Sequence, residues 1–205
     1  SELYILGDLF AYWFEHPGVD LASGDKNLKA LKEFVSSGKK VVFVRGNRDF
    51  TVSTKFKEAS GIEKIVDDIT VKSGDRKIFM THGDFLAKRD IRYQIWRKFI
   101  RSPIAFFVFR HLPMGAAVKF ADKCRGVGKN RPAQSQRVAE MISSQAEKIL
   151  KTGPDALVAG HAHWRLDKTF KHKGRLKEIF ILDEFRFPGE FLTLKDGEFS
   201  YRHIG

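Results

Sequence analysis

Ala156-Leu157-Val158-Ala159-Gly160-His161-Ala162-His163 is an apolar run that stops at a glycine and then delivers two imidazoles. Consecutive apolar side chains without alternation mark a strand buried on both faces. Three further segments follow the same plan: Leu3 to Leu6 before Gly7-Asp8, Val41 to Val44 before Arg45-Gly46-Asn47, and Lys77 to Met80 before Thr81-His82-Gly83-Asp84. Between the first two, Leu28, Leu31, Phe34 and Val35 share one helical face, with Gly38 as the stop. Before the fourth, Val138, Met141, Ile142, Ile149 and Leu150 form a second stripe, ended by Gly153-Pro154. Strands alternating with helices predict an α/β fold with a mainly parallel sheet. The tail reads differently: Glu178 to Leu182, Glu190 to Leu194 and Glu198 to Arg202, with Lys195-Asp196-Gly197 as a tight turn, predict an antiparallel closing set.

A chain of 205 residues is the size of one such domain, so residues 1–205 are expected to share one core and one site. Residues 88–129 depart from the pattern. Tyr93 to Arg101 and Ile104 to Arg110 are apolar and basic, and Pro103 and Pro113 divide them into short helices, which predicts a helical insertion over the sheet. The 37 Lys and Arg against 25 Asp and Glu leave a net charge of +12, favouring an anionic partner. Charge alone does not choose among nucleic acid, a membrane surface and a phosphorylated substrate. The one cysteine, Cys124, excludes an internal disulfide and fits a reducing compartment, so the cytoplasm is the expected location. No stretch has the roughly 18 apolar residues of a spanning helix, so the protein is expected to be soluble or to lie on a membrane surface.

In an open α/β sheet, ligands bind beyond the carboxyl ends of the strands. Those ends carry Asp8, Asn47, His82, Asp84, His161 and His163. A mixed set of oxygen and nitrogen donors suits Mn, Fe or Zn better than calcium or a thiolate zinc site. Phosphoester chemistry has a use for such a set, because adjacent cations neutralise an anionic substrate and lower the pKa of a bound water. Asp8 is the candidate for a carboxylate shared by two ions.

Gly7-Asp8-Leu9-Phe10, Gly46-Asn47-Arg48-Asp49, His82-Gly83-Asp84 and Gly160-His161-Ala162-His163 stand in the order and approximate spacing of the calcineurin-like metallophosphoesterases, which this sequence resembles along nearly its whole length. Arg48, and Asp8-Leu9-Phe10 followed by Trp13, resemble in particular the branch that cleaves UDP-2,3-diacylglucosamine in lipid A biosynthesis. The resemblance implies a sandwich of two mixed β-sheets flanked by helices, with residues 88–129 as a cap. It implies two divalent metal ions, with manganese expected and iron or zinc as alternatives. Asp8 would bridge them, Asn47, His82 and His161 would complete one ion, and His163 would serve the other. Water would attack the α-phosphate, releasing UMP and the acylated sugar phosphate. Arg48 would steady phosphate charge, a task suited to a planar guanidinium. Tyr93, Lys129 and Arg131 would contact the head group, together with Asn47 and His161. The family also carries an Asp-x-His upstream of the position of Asp8. This sequence starts at Ser1, close to an apolar strand, and the expectation is a natural protein with a preceding piece; the alternative is loss of one metal and of activity.

Each signal has a plainer reading. A single His, Asn or Asp after a strand is usually a turn or cap residue; it is the register of all five metal-type residues that argues for a metal site. His16, His111, His172 and His203 lack that context and are read as surface or core residues. Arg48 could cap a turn or pair with Asp49, and Tyr93 could simply pack. For the insertion the plain reading is a buried helix pair. Phe99, Ile100, Phe106, Phe107, Val108 and Phe109, interleaved with Arg97, Lys98, Arg101 and Arg110, exceed what a cover requires and predict contact with lipid or an acyl chain; the resemblance implies that such contact is on the inner face of the inner membrane. The basic run Lys168 to Lys177 is expected to be a solvated hairpin. Rival functions are a metallophosphoesterase of soluble nucleotides or phosphoproteins, and a non-catalytic binding module on the same fold. Nucleic-acid binding ranks lower, because the cations mix with Phe and Ile instead of lining a polar groove.

Overall fold

The computed structural model describes residues 1–10, 13, 26–113, 115–116, 119 and 132–205. They fall into two compact units, one formed by residues 1–67 and 91–129 and the other by residues 68–90 and 130–205.

The first unit is built on a three-stranded parallel sheet in the order β1 (Glu2–Ile5), β2 (Lys40–Val44), β3 (Lys64–Val66). Val41, Val42, Phe43 and Val44 of β2 are all buried, as an uninterrupted apolar run in a central strand requires. Helices α1 (Lys26–Ser36) and α2 (Thr54–Ser60) place Leu28 and Phe56 in a core with Val41, Phe43, Val52, Ile62, Phe10 and Trp13. Gly38 follows α1 at φ +80°, and its amide donates to the Val35 carbonyl at 2.9 Å, closing the helix as its position in the sequence predicts. The same unit contains α3 (Ile91–Ile100) and α4 (Pro103–His111). Ser102 Oγ accepts the Ala105 amide at 3.2 Å and caps α4, which opens on Pro103.

The second unit holds a five-stranded mixed sheet in the order β4 (Asp68–Ser73), β5 (Arg76–Thr81), β6 (Ala156–Ala159), β8 (Arg175–Ile181), β7 (Leu166–His172). Its three inner strands are parallel and its two edges antiparallel. The long helix α5 (Pro132–Leu150) packs Val138, Ala139, Ile142, Ala146 and Leu150 against Leu157, Ala159, Ile179 and Ile181. Phe180 points to the opposite face of β8, where its ring lies 4.5 Å from that of Phe199. Phe199 belongs to the hairpin of β9 (Gly189–Lys195) and β10 (Glu198–Ile204). The expected mixed α/β architecture, several sheets flanked by helices, is therefore present. One detail differs: the strand expected over Glu178 to Leu182 is not part of the closing hairpin but an inner strand of the main sheet, parallel to β6.

The β7–β8 hairpin turns through Lys173 and Gly174, both with positive φ, as a tight two-residue loop demands. Its cations are not all solvated, since Lys177 is buried. Lys177 Nζ donates to Asp155 Oδ1 at 2.9 Å and to the Pro154 carbonyl at 2.7 Å, while Asp155 Oδ2 accepts the Lys77 amide at 3.0 Å. The pair thus ties together the entries to β5, β6 and β8. Burial alone would raise the Asp155 carboxyl, but the Lys77 amide and the Lys177 ammonium outweigh it and hold the group below the ordinary aspartate range. A depressed folded-state value contributes stability that is present above the unfolded value, about pH 4, and is lost as pH falls through the folded one. Asp155→Asn should therefore lower stability by about 3 kcal/mol at pH 7, where a buried ammonium loses its counter-charge. The deficit should shrink as unfolding is followed towards pH 3; one independent of pH would refute the ion-pair account.

Candidate active site

The sequence places an acidic residue just after β1 and a Gly-Asn-Arg-Asp run just after β2, and because the strands are parallel neighbours the two loops meet. Gly7 and Asp8 both take left-handed backbone, with φ +79° and +55°. Left-handed backbone is uncommon for any residue with a side chain, although aspartate adopts it more readily than most, and here the turn is held by contacts from the β2 loop. Asp8 Oδ1 accepts the Arg48 amide at 2.9 Å, and Arg48 Nε lies 3.4 Å from Asp8 Oδ2. Asp49, fully buried, accepts the Leu9 amide at 2.9 Å on one oxygen and the Gly46 amide at 2.7 Å on the other. Asp49 therefore staples the two loops together. It stands in the motif, but the reading of the sequence gave it no role, since nothing local distinguishes an aspartate that spans two loops from one that caps a turn. Asn47 lies between Gly46 and Arg48, half-buried.

Arg101, at the end of α3, belongs to this same cluster. Its Nη2 donates to the Gly46 carbonyl at 3.1 Å, its Nη1 lies 3.7 Å from Asp67, and its guanidinium sits 5.7 Å from the Phe50 ring centroid. The expectation that Arg101 faces lipid is thereby corrected: the group is anchored on the β2 loop. Tyr93, also on α3, is half-buried. Lys129 and Arg131, expected at the substrate head group, lie outside the described residues.

In the second unit, parallel strands β5 and β6 bring their carboxyl ends side by side. His82 follows β5 and is buried; its carbonyl accepts the Gly160 amide at 3.0 Å, which fixes the Gly160 to His163 loop against it. Gly83 has φ +101°, and a Cβ there would come 3.1 Å from that of Ala159, so the turn after His82 favours glycine on both counts. His82 Nε2 and His161 Nδ1 face each other at 3.2 Å, with the rings edge to face. His161 and His163 both adopt positive φ, which puts the side chains at positions that regular strand geometry would not reach. His163 Nδ1 lies 3.3 Å from Glu184 Oε2. Burial would raise the Glu184 carboxyl, but hydrogen bonds from Arg186 and His163 outweigh it and hold it below the usual range. Asp84, also buried, accepts the Phe85 amide at 2.9 Å and opens a short 3-10 turn.

Among the described residues no three His, Cys, Asp or Glu side chains form a ready cage for an ion. The donors come as a carboxylate and an amide in one unit and as imidazoles in the other. The donor chemistry nevertheless fits a divalent transition metal, and the separation of the His82 and His161 nitrogens is one that two ligands of a single ion take when each lies about 2.1 Å from it.

The profile of the calcineurin-like phosphoesterases matches residues 2–165. A UDP-2,3-diacylglucosamine hydrolase of Pseudomonas entomophila (strain L48) is 30% identical over 165 residues, covering 78% of this chain and 68% of its own. The protein of that name from Stenotrophomonas maltophilia (strain K279a) is 31% identical over 209 residues, covering 97% of this chain and 83% of its own. Among solved structures, an archaeal phosphodiesterase aligns with 86% of this chain and 76% of its own at 18% identity and a TM-score of 0.39, a likeness too distant to carry an argument. On the match that spans both the Asp8 and the His161 loops, the chain belongs to the calcineurin-like phosphoesterase family and is a hydrolase of phosphate esters.

Proposed function

We propose that the chain hydrolyses the pyrophosphate bond of UDP-2,3-diacylglucosamine, releasing UMP and 2,3-diacylglucosamine 1-phosphate. The observation that carries this reading is the likeness to a protein named for that substrate over 97% of the chain. Members of the family use a dinuclear metal centre. In this chain Asp8, Asn47, His82, His161 and His163 would hold the ions, with manganese as the first expectation and iron or zinc as alternatives. When bound, such ions neutralise phosphate charge and lower the pKa of a coordinated water.

The chain's own residues supply the rest. The Arg48 amide and guanidinium hold the Asp8 carboxylate in one orientation. The guanidinium, about a quarter exposed, is also free in geometry to offer its fork to phosphate oxygens, which such a fork binds in pairs. Tyr93, Lys129 and Arg131, together with Asn47 and His161, are the residues proposed to contact the head group. The buried position of His82 limits water at its ring, which strengthens every charge interaction there.

A diacylated substrate also needs an apolar surface. Ile91, Ile95, Phe99, Ile104, Phe107 and Val108 on α3 and α4 are more than half exposed. Exposed aromatic and branched side chains on short helices, in a chain of net charge +12, suit an interface with anionic lipid or with acyl chains. No helix among the described residues is long and apolar enough to cross a membrane. We read residues 88–129 as the lipid-facing insertion of a single domain, docking peripherally on the inner membrane.

The test is UMP release from UDP-2,3-diacylglucosamine in mixed micelles, with Mn²⁺ and with chelator. Release should require the metal, and the deacylated nucleotide sugar should be a far poorer substrate. Equal turnover of both would exclude the lipid-specific reading. In the same preparation, Phe99→Glu with Phe107→Glu should reduce sedimentation with anionic vesicles, and unchanged binding would refute the interfacial role.

A further inference from the structure

Glu184 lies past the end of β8, in Asp183-Glu184-Phe185-Arg186, a stretch that its sequence presents as an exposed charged turn. Its Oε2 is nevertheless shared by two partners. Arg186 donates to it from Nε at 3.0 Å and from Nη2 at 2.6 Å, and His163 Nδ1 approaches it at 3.3 Å. The guanidinium grips the oxygen with two donors, which limits where the carboxylate can move. On the other side, His163 is held in left-handed backbone at φ +50°, and the preceding Ala162 amide donates to the Gly160 carbonyl at 2.8 Å. The imidazole is thus restrained by its backbone, while the carboxylate is oriented by the paired donors of Arg186, a contact on the exposed side of the loop with Arg186 79% exposed.

An ionised carboxylate can only accept, so the imidazole nitrogen that faces it must carry the proton. A neutral imidazole has one N–H, and with that proton on Nδ1 the lone pair remains on Nε2. Free neutral imidazole side chains in water prefer the opposite arrangement, with the proton on Nε2. Ligating histidines commonly donate their other ring N–H to a carboxylate, which fixes the tautomer and the ring orientation.

We propose that Glu184, braced by Arg186, is the positioning residue that fixes His163 as its Nδ1–H tautomer and so leaves Nε2 as the nitrogen that binds a divalent cation. The inference rests on His163 being a ligand, as the proposed function requires, and it adds a residue and a role that the metal-type motifs do not contain. Glu184 touches neither substrate nor metal in this scheme. It acts through His163.

Two readouts separate this from a merely structural contact. The first uses the metal-free protein with ¹⁵N-labelled imidazoles, at a pH where His163 is neutral. His163 should show a protonated Nδ1 in the wild type. Glu184→Ala should move the proton to Nε2, and Glu184→Gln, whose amide oxygen still accepts, should keep it on Nδ1. The second is calorimetric titration with Mn²⁺ alone. Glu184→Ala should weaken binding of the affected ion by roughly 10- to 100-fold, and Glu184→Gln should restore most of the loss. Far-UV circular dichroism establishes that each variant is folded, and Glu184→Gln preserves shape if the alanine variant is not. His163→Ala distinguishes the two possible failures. If His163→Ala weakens Mn²⁺ binding while Glu184→Ala alters neither tautomer nor affinity, the positioning role is overturned and the metal assignment stands. If His163→Ala leaves Mn²⁺ stoichiometry and affinity unchanged, the assignment beneath it falls as well.

Discussion

His82→Ala should remove phosphoester hydrolysis almost entirely, lowering kcat by roughly 1000-fold or more, while leaving the protein folded. The size follows from what the side chain is assigned to do. An ion that neutralises substrate charge and activates water contributes several kcal/mol to the transition state, and each 1.36 kcal/mol is tenfold in rate. His82 is buried and its Nε2 lies 3.2 Å from His161 Nδ1, so no neighbouring water-exposed group can take over its place cheaply. The backbone part of its role survives the substitution, because the carbonyl that receives the Gly160 amide remains. Truncating a buried imidazole should cost stability on the order of 1–3 kcal/mol, which a shifted denaturation midpoint would register without loss of helix signal. His203→Ala is the matching control: that ring is 80% exposed and pairs with Glu190, and its loss should leave turnover and metal stoichiometry intact. The two quantities to compare are UMP release and Mn²⁺ bound per chain. Full activity in His82→Ala would exclude the metal assignment.

Where this fold could be read from the sequence, the reason was burial on both faces. Val41 to Val44 and Ala156 to Ala159 contain no polar position and are buried throughout, so the glycine that follows each is conspicuous, and Asn47, His161 and His163 sit at those two ends; β1 and β5 are only partly buried, and Asp8 and His82 follow them. The same rule hides the rest. β7 is basic and largely exposed, and it is a strand because it pairs antiparallel with β8, not because Lys168-Thr169-Phe170-Lys171 prefers to be one. β8 alternates, with Ile179 and Ile181 towards α5 and Phe180 towards the closing hairpin, and alternation alone resembles the half-buried strands of an antiparallel tail. Register with β6 decides the matter, and register is not local. The residues around the site were missed for a related cause. Asp49 and Glu184 work by contacts to loops far away in the chain, and a carboxylate's neighbours in sequence do not reveal which amide or imidazole it will meet. Arg101 carried a cation's ordinary expectation, solvent or lipid, until the Gly46 carbonyl and Asp67 claimed it.

Gly46→Ala should be strongly damaging for a single added methyl. Gly46 needs no unusual dihedral; what it needs is room. A Cβ at this position would lie 2.5 Å from the Asp8 backbone nitrogen, closer still to Asp8 Oδ1, and 3.0 Å from Asp49 Oδ1. Backbone cannot rotate away as a side-chain tip can, and both carboxylate oxygens are already committed. Asp8 Oδ1 holds the Arg48 amide, and Asp49 holds the amides of Gly46 and Leu9, so relieving the overlap means parting the β1 and β2 loops and breaking the bonds that join them. Overpacking of this kind costs typically 1–3 kcal/mol, and the lost buried hydrogen bonds add to it, for a total of about 4 kcal/mol. Gly38→Ala is the informative comparison, since Gly38 has φ +80° but nothing within 4 Å of its Cβ position. It should lose only the roughly 1 kcal/mol of left-handed backbone, with hydrolysis intact. Gly46→Ala should instead lose stability and Mn²⁺ affinity together, because the atom displaced is the carboxylate proposed to bridge the two ions. A variant that melts like Gly38→Ala and still binds Mn²⁺ normally would show that Asp8 is not held where the Gly46 approach places it, and the bridging role would have to be given to another group.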